Sequence, residues 1–337
     1  NSFLLVNNVQ LYGGFAGIET LLSQRDATTN ITILSGDFSN DDVVTGGGNT
    51  LSISNNTENA YHVMITADLT SAAIIDGFTV KGGNANGSNS ITYQSKSFSR
   101  TSGGGIDNIS SSLTIKNNTI KNNNAVYGGG MDNYSSSSPT IINTTFSNNN
   151  ATNGGGAINN ASFSSPMIIN SIFAKNNAPT GVGIGGGINN SSSSNPTITN
   201  TTFAFNSGIS GGGIYNSSAS SPIITNSIFW KNTQNGSSNV SGSDIHTNNG
   251  TPTVTYCLTQ ENSTYSSGTG IINNQDPRFA DATNDDYRLG SCSPAIDVGD
   301  NTAWTSTGLS TDILGDARPQ NTTVDLGAFE GQVNTDS

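Results

Sequence analysis

The hydrophobic and polar positions of this chain repeat at intervals of about 26 residues. An apolar residue follows a glycine-rich tripeptide five times, at Ile106, Met131, Ile158, Ile188 and Ile214. A second apolar column follows each of these, at Ile115, Ile141, Ile168, Ile198 and Ile224. Short runs rich in Ile, Thr and Phe between Gly, Ser and Asn predict β-strands, and no segment has the periodicity of a long helix. The pattern therefore predicts a solenoid of short strands.

Asparagine recurs in phase with these apolar columns. One Asn column comprises Asn117, Asn143, Asn170, Asn200 and Asn226. An Ile or Phe column follows it at Ile120, Phe146, Phe173, Phe203 and Phe229, and then a second Asn column at Asn123, Asn149, Asn176, Asn206 and Asn232. Parallel coils stack about 4.8 Å apart, so equivalent amides can hydrogen-bond to one another and be buried without a large penalty. The sequence therefore predicts buried asparagine ladders beside apolar stacks.

We predict one continuous structural unit with three segments. Residues 1–60 form an N-terminal cap with the first coils, residues 61–256 form the repeats, and residues 257–337 form a closing segment. The predicted fold is all-β: a single-stranded parallel β-helix of about eight to ten coils, with an N-terminal cap and an irregular C-terminal cap. Insertions gather at one corner of the repeat, which indicates either a working face or harmless length drift.

Composition excludes several classes of partner. The 337 residues include only 11 Lys and Arg, and the formal net charge is −12. Nucleic acids and anionic membranes are therefore poor partners. No apolar run reaches the roughly 20 residues of a membrane-spanning helix. Cys257 and Cys292 lack the spacing of a zinc site, which leaves either one disulfide or two free thiols.

Both ends of the chain resemble a known family. Near the N-terminus, residues 9–17 and 33–37 look like the cap of secreted right-handed parallel β-helix proteins. Near the C-terminus, residues 276–279, 293–299 and 325–330 resemble the closing signature of choice-of-anchor Q domain proteins. The resemblance implies a right-handed helix and a bacterial protein that is extracellular or on the outer cell surface. It implies no reaction, and we expect the anchor that follows in such proteins to be absent or removed here.

One pair of carboxylates is a candidate for catalysis. Asp107 and Asp132 each follow an inward apolar residue and should therefore face outward, one coil apart. Carboxylates about 5 Å apart can act together as acid and base or nucleophile. A solvated surface column is the more ordinary interpretation, so no catalytic residue is assigned.

Two further groups are candidates for binding. Phe205, Tyr215 and Trp230 are predicted to expose aromatic faces, which could stack on sugar rings or contact a second protein copy. The run that contains Asp37, Asp41 and Asp42 could hold Ca²⁺ through its clustered oxygens, although it lacks the spacing of an EF-hand loop. No other cofactor is expected.

These observations support two hypotheses about function. The first is a non-catalytic extracellular protein, adhesin-like or a component of a matrix or filament, with itself or an extracellular glycan as partner. The alternative is a polysaccharide lyase or glycoside hydrolase that acts on an extracellular polysaccharide.

Overall fold

A computed structural model describes residues 2–179, 184–260, 265 and 267–331 of the chain. It shows the predicted right-handed parallel β-helix, which confirms the fold class. Successive coils contribute one strand each to three long parallel sheets, here called sheets A, B and C. Among the described residues, sheets A and B contain eight strands and sheet C contains nine. The number of coils therefore falls within the predicted range.

Sheets A and B begin at the N-terminal end of the chain and take one strand from each of the first eight coils, whereas the last described strand of the parallel sheets, Ile272–Asn273, belongs to sheet C only. The strands of sheet A are Phe3–Leu4, Met64–Ala67, Ile106–Ile109, Met131–Tyr134, Ile158–Asn160, Ile188–Asn190, Ile214–Asn216 and Ile245–Thr247. The strands of sheet B are Gln10–Tyr12, Ile74–Asp76, Thr114–Lys116, Thr140–Ile142, Met167–Ile169, Thr197–Thr199, Ile223–Thr225 and Thr253–Thr255.

Sheet C and a shorter parallel sheet, sheet D, complete the coils. The strands of sheet C are Thr32–Ser35, Phe78–Lys81, Thr119–Lys121, Thr145–Ser147, Ile172–Ala174, Thr202–Ala204, Ile228–Trp230, Leu258–Thr259 and Ile272–Asn273. The strands of sheet D are Asn84–Ala85, Asn124–Tyr127, Asn150–Gly154, Asn177–Ala178, Ser207–Gly208 and Thr233–Gln234. Sheet D lies at the corner where the sequence insertions gather.

Hairpins and short helices decorate the solenoid. In the described part of the chain, three hairpins pair Val43–Thr45 with Ser52–Ser54, Ser90–Tyr93 with Lys96–Ser99, and Phe279–Asp281 with Asp286–Leu289. The helical turns are the 3₁₀ segments Leu22–Gln24, Gly48–Thr50 and Ala282–Asn284 and the α-helix Asn301–Thr305. No helix among the described residues is long and apolar enough to cross a bilayer.

The core consists of columns of identical or similar side chains. Phe146, Phe173, Phe203 and Phe229 stack with ring centroids 4.7–4.9 Å apart and nearly parallel planes. The Ile columns of sheets A and B close the other two sides of the interior and are fully buried. Because one coil has too little apolar surface to fold alone, stacking of these columns stabilises the rod.

One of the two predicted ladders is continuous inside the solenoid. Asn149 donates from Nδ2 to Asn176 Oδ1 at 3.0 Å, and Asn176 donates to Asn206 Oδ1 at 2.9 Å. A second inner ladder, which is not among those predicted from the sequence, runs along sheet A. It comprises Asn108, Asn133, Asn160, Asn190 and Asn216, with successive bonds of 2.8–2.9 Å. The sequence does contain a signal for this ladder: an Asn lies two residues after each apolar residue of the first column.

The other predicted ladder is interrupted. Asn143 donates to Asn117 Oδ1, and Asn226 donates to Asn200 Oδ1, each at 3.2 Å. Asn170, however, donates to the carbonyl of Thr311 in the closing segment. These asparagines form the corner between sheets B and C, where each has a positive φ. The column therefore lies at the edge of the coil and outside the apolar interior. There it serves partly as a docking site for the closing segment.

One buried arginine fastens the closing segment to the coils. Arg318 Nε donates to Glu330 Oε2 at 2.7 Å, and its Nη1 donates to Asn170 Oδ1 at 2.9 Å. It also donates to the carbonyl of Phe329, and its guanidinium lies over the Trp304 ring. The segment consequently covers part of the outer faces of sheets B and C.

Candidate functional site

The candidate catalytic pair is not exposed, contrary to the sequence expectation. Asp107 and Asp132 occupy paired positions of neighbouring strands in sheet A, but their exposed fractions are only 1% and 3%. The glycine-rich corner folds over the outer face of the sheet at this point. A Cβ atom at Gly103 would lie 2.7 Å from Asp107 Cβ, so the roof needs glycine there. The side chains of Asp107 and Asp132 thus point away from the core, but other parts of the chain cover them.

The surroundings of these two carboxyls disfavour their ionisation. Burial raises the pKa of Asp107 well above its usual value, with repulsion from Asp132 as a further cause. Burial also raises the pKa of Asp132 to about 7, although Asn159 donates a hydrogen bond to its Oδ1 at 2.6 Å. Asp107 Oδ2 has no hydrogen-bond partner. Burial therefore destabilises the charged form of both carboxyl groups, and a polysaccharide chain cannot reach them.

A histidine borders the same cluster. His62 Nδ1 lies 3.9 Å from Asp107 Oδ2 and 3.1 Å from the carbonyl of Gly103. Burial lowers the pKa of His62 to about 4, so the ring is neutral near pH 7. A neutral imidazole gives Asp107 no compensating charge.

The three candidate aromatic residues do not form one surface. Tyr215 lies on sheet A, where its ring stacks on His246 with centroids 5.4 Å apart. Phe205 and Trp230 lie together beside the closing segment and are only partly exposed. The repeat predicts that Trp230 points outward, but it does not predict the segment that packs against this ring.

Phe205 and Trp230 line a pocket of about 420 Å³. Phe279 of the C-terminal hairpin supplies a third aromatic side, and Asp276 adds a carboxylate. Lys231 Nζ lies 5.6 Å from the centroid of the Phe205 ring. We call this the aromatic pocket; it combines ring faces with charged hydrogen-bonding groups, as small-ligand sites do.

A larger cleft of about 800 Å³ crosses the outer face of sheet C nearer the N-terminal end. One wall is the loop around Leu22–Gln24, and the other includes Ile313 and Phe329 of the closing segment. The floor carries Thr119, Lys121 and their neighbours in adjacent coils. We call it the sheet C cleft. No sequence pattern indicates it, because its walls are far apart along the chain.

The acidic run near the N-terminus forms only part of the predicted cluster. Carboxylate oxygens of Asp37, Asp41 and Glu58 lie within 4.8 Å of one another. Asp42 instead accepts two hydrogen bonds from Asn59 Nδ2, at 3.1 and 3.0 Å. Three carboxylates suit a hard cation such as Ca²⁺, but they supply fewer than the six to eight oxygens it usually takes.

The two cysteines are not bonded to each other. Cys257 is buried and Cys292 is exposed, and both are free thiols. Burial raises the pKa of Cys257 to about 12, which leaves it a core residue with no thiolate chemistry. Of the two options that the sequence left open, the structure has the free thiols.

The fold makes this chain a parallel β-helix protein. No protein-family model matches it, and neither does any curated protein. Among solved structures it is similar to pectate lyase Pel9A, with a TM-score of 0.47 and 15% sequence identity. That match covers 80% of this chain and 68% of the lyase chain. A likeness of this extent says nothing about substrate or catalytic residues.

Proposed function

We propose that this chain is a non-catalytic glycan-binding protein of the extracellular space or outer cell surface, either adhesin-like or part of a matrix. The observation that carries the proposal is the aromatic pocket formed by Phe205, Trp230 and Phe279. The resemblance to choice-of-anchor Q proteins, through residues 293–299 and 325–330, is consistent with this location. Ca²⁺ held by Asp37, Asp41 and Glu58 is part of the same proposal.

The chemistry of the aromatic pocket suits a sugar ring. The apolar face of a pyranose packs on aromatic rings, while its hydroxyls need hydrogen-bonding partners when they are buried. Asp276 can accept from hydroxyls, and the ammonium of Lys231 can donate to ring or carboxylate oxygens. A volume of about 420 Å³ holds a ligand of this size.

Polysaccharide cleavage remains the alternative, but its predicted acid pair does not support it. Asp107 and Asp132 are buried beneath the corner, whereas a lyase or hydrolase needs its acid and base within hydrogen-bond reach of the substrate. We therefore favour binding over catalysis.

Self-association is a second proposal, and it rests on the first coil. Among the described residues Phe3–Leu4 is an edge strand of sheet A, and both side chains are about half exposed. Apolar side chains beside unpaired strand edges favour pairing with another chain. Analytical ultracentrifugation of the wild type and of Phe3→Ser tests this: concentration-dependent association that the substitution weakens supports it, and a monomer at all concentrations refutes it.

A glycan array followed by calorimetry on the best ligand tests the binding proposal. We expect Phe205→Ala and Trp230→Ala to weaken binding at least about tenfold, since burial of a large apolar side chain contributes roughly 1.5–3 kcal/mol. Tyr134→Ala, an exposed aromatic on sheet A, is the matched control. Circular dichroism checks that each variant is folded. Absence of binding to every glycan, or binding that Phe205→Ala leaves unchanged, would overturn the proposal.

A further inference from the structure

We infer that the sheet C cleft is a second binding site, distinct from the aromatic pocket, and that it takes a linear polysaccharide bearing carboxylate or sulfate groups. The inference rests on the proposed glycan-binding function and adds the charge class of the ligand. Two features carry it: the repeating floor of the cleft, and two unpaired cations, one in the cleft and one on the neighbouring strand.

The floor of the cleft repeats with the coils. Thr79, Thr119 and Thr145 occupy paired positions of three neighbouring strands of sheet C. They alternate with the inward residues Val80 and Ile120, so their hydroxyls are on the outer face and are half-buried. Adjacent strands are about 4.8 Å apart. The floor therefore presents one hydroxyl per coil at a spacing similar to that of successive sugars in an extended chain.

Two lysines lie next to this row: Lys121 lines the cleft, and Lys81 lies beside it on the neighbouring strand. Lys81 follows Val80 and Lys121 follows Ile120, and the register pairs Val80 with Ile120. Like charges placed side by side on a sheet repel each other. Among the described residues, neither ammonium has a carboxylate partner within ion-pair distance. In a chain of net charge −12, such an unpaired couple favours an anionic ligand.

The carboxylates nearest the cleft are already engaged. Asp26 accepts hydrogen bonds from the hydroxyls of Thr28 and Thr29, at 2.6 and 2.8 Å, and these bonds lower its pKa. Asp76 pairs with Arg25 at 2.5 Å and accepts from Asn117 Nδ2 at 2.8 Å. Arg25 therefore neutralises the charge of Asp76, whereas Asp26 keeps its negative charge, which Lys81 and Lys121 outnumber.

The remaining groups of the cleft favour a polysaccharide over an acidic peptide. The side-chain amides of Asn117 and Asn143 line the same floor, so the site offers hydroxyls and amides on successive coils. Such groups match the many hydroxyls of a sugar chain, whereas they leave the backbone amides of a peptide without an open strand edge to pair with. Leu22 and Phe329 add apolar surface on opposite walls.

Affinity electrophoresis and calorimetry at low salt test the inference with defined probes. The probes are polygalacturonate (carboxylate), dextran sulfate (sulfate), neutral dextran and polyglutamate. We expect one of the two anionic polysaccharides to bind and dextran not to bind at this cleft. The double substitution Lys81→Gln with Lys121→Gln should weaken binding at least about tenfold, because it removes both charge-assisted contacts to the ligand.

Matched variants separate this inference from the proposed function. Lys96 lies on a hairpin outside the cleft and pairs with Asp68. The control substitution Lys96→Gln should therefore leave binding unchanged. Equal binding of dextran, equal binding of polyglutamate, or no effect of the double lysine variant would overturn the inference. If Phe205→Ala still abolished binding of a neutral glycan in those cases, the proposed function would stand. If nothing bound at all, both would fall.

Discussion

The carboxyl groups of Asp107 and Asp132 lie on neighbouring strands of sheet A, and both are buried under the glycine-rich corner. Only Asp132 receives a side-chain hydrogen bond, which comes from Asn159. The pair therefore makes the stability of the coil depend on pH in a direction opposite to that of ion-paired carboxylates.

Asp132→Asn should remove much of this pH dependence. A raised pKa in the folded state contributes stability that is complete below the unfolded value near 4 and is lost as pH rises through about 7. An amide at position 132 could donate to the unpartnered Asp107 Oδ2 and keep the bond from Asn159. We expect the variant to be more stable than wild type at pH 8, by about 1 kcal/mol or more, with little difference at pH 4.

Thermal unfolding of both proteins between pH 4 and 9 measures this difference. His62 is present in both, so its own titration cancels in the comparison. Parallel curves for wild type and Asp132→Asn would show that the pair is not the source of the dependence.

Phe203→Ala should be among the most damaging core substitutions. Its ring lies between Phe173 and Phe229, at 4.7 Å from each, and truncation would leave a cavity in a continuous stack. We expect a loss of about 3–5 kcal/mol in the free energy of unfolding, measured by denaturant titration. Phe163→Ala, at an exposed position, is the control and should change stability by less than about 0.5 kcal/mol. Similar values for both variants would contradict the stacked core.

Asn176→Ala tests the inner ladder. Asn176 donates to Phe146 O and Asn206 Oδ1 and accepts from Asn149 Nδ2, all in the buried interior. Each group left unpaired costs about 1–3 kcal/mol, so we expect a total loss of several kcal/mol. Asn249→Ala replaces an exposed asparagine and should be nearly neutral. A neutral result at position 176 would mean that the amides do not stabilise the stack.

Arg318→Ala should release the closing segment from the coils. The substitution leaves the carboxylate of Glu330 buried without its partner, which typically costs about 3–5 kcal/mol. Limited proteolysis should then cut within residues 290–330 faster than in wild type, while the coils stay folded. Arg288→Ala, which removes an exposed pair with Asp286, should leave the digestion pattern unchanged. Equal cleavage rates for all three proteins would show that Arg318 does not fasten the segment.

The repeat made the interior predictable. Residues such as Ile141 and Phe173 recur at fixed offsets, and in stacked coils a fixed offset becomes a column, so the sheets and the inner asparagine ladder followed from the pattern alone. The ladder through Asn170 was predicted only in part. Whether an outward amide bonds to the next coil or to a distant segment depends on what covers it, and the chain 141 residues further on covers Asn170.

Sequence alone therefore determined the coil, its apolar stacks and its buried amides, because these depend on local spacing repeated many times. Only the tertiary structure decided what lies over the outer faces. The corner roof above Asp107, the closing segment beside Trp230 and the two walls of the sheet C cleft all join residues that are remote in sequence. No periodic pattern encodes such contacts, since each is made once and is set by how the caps fold back onto the rod.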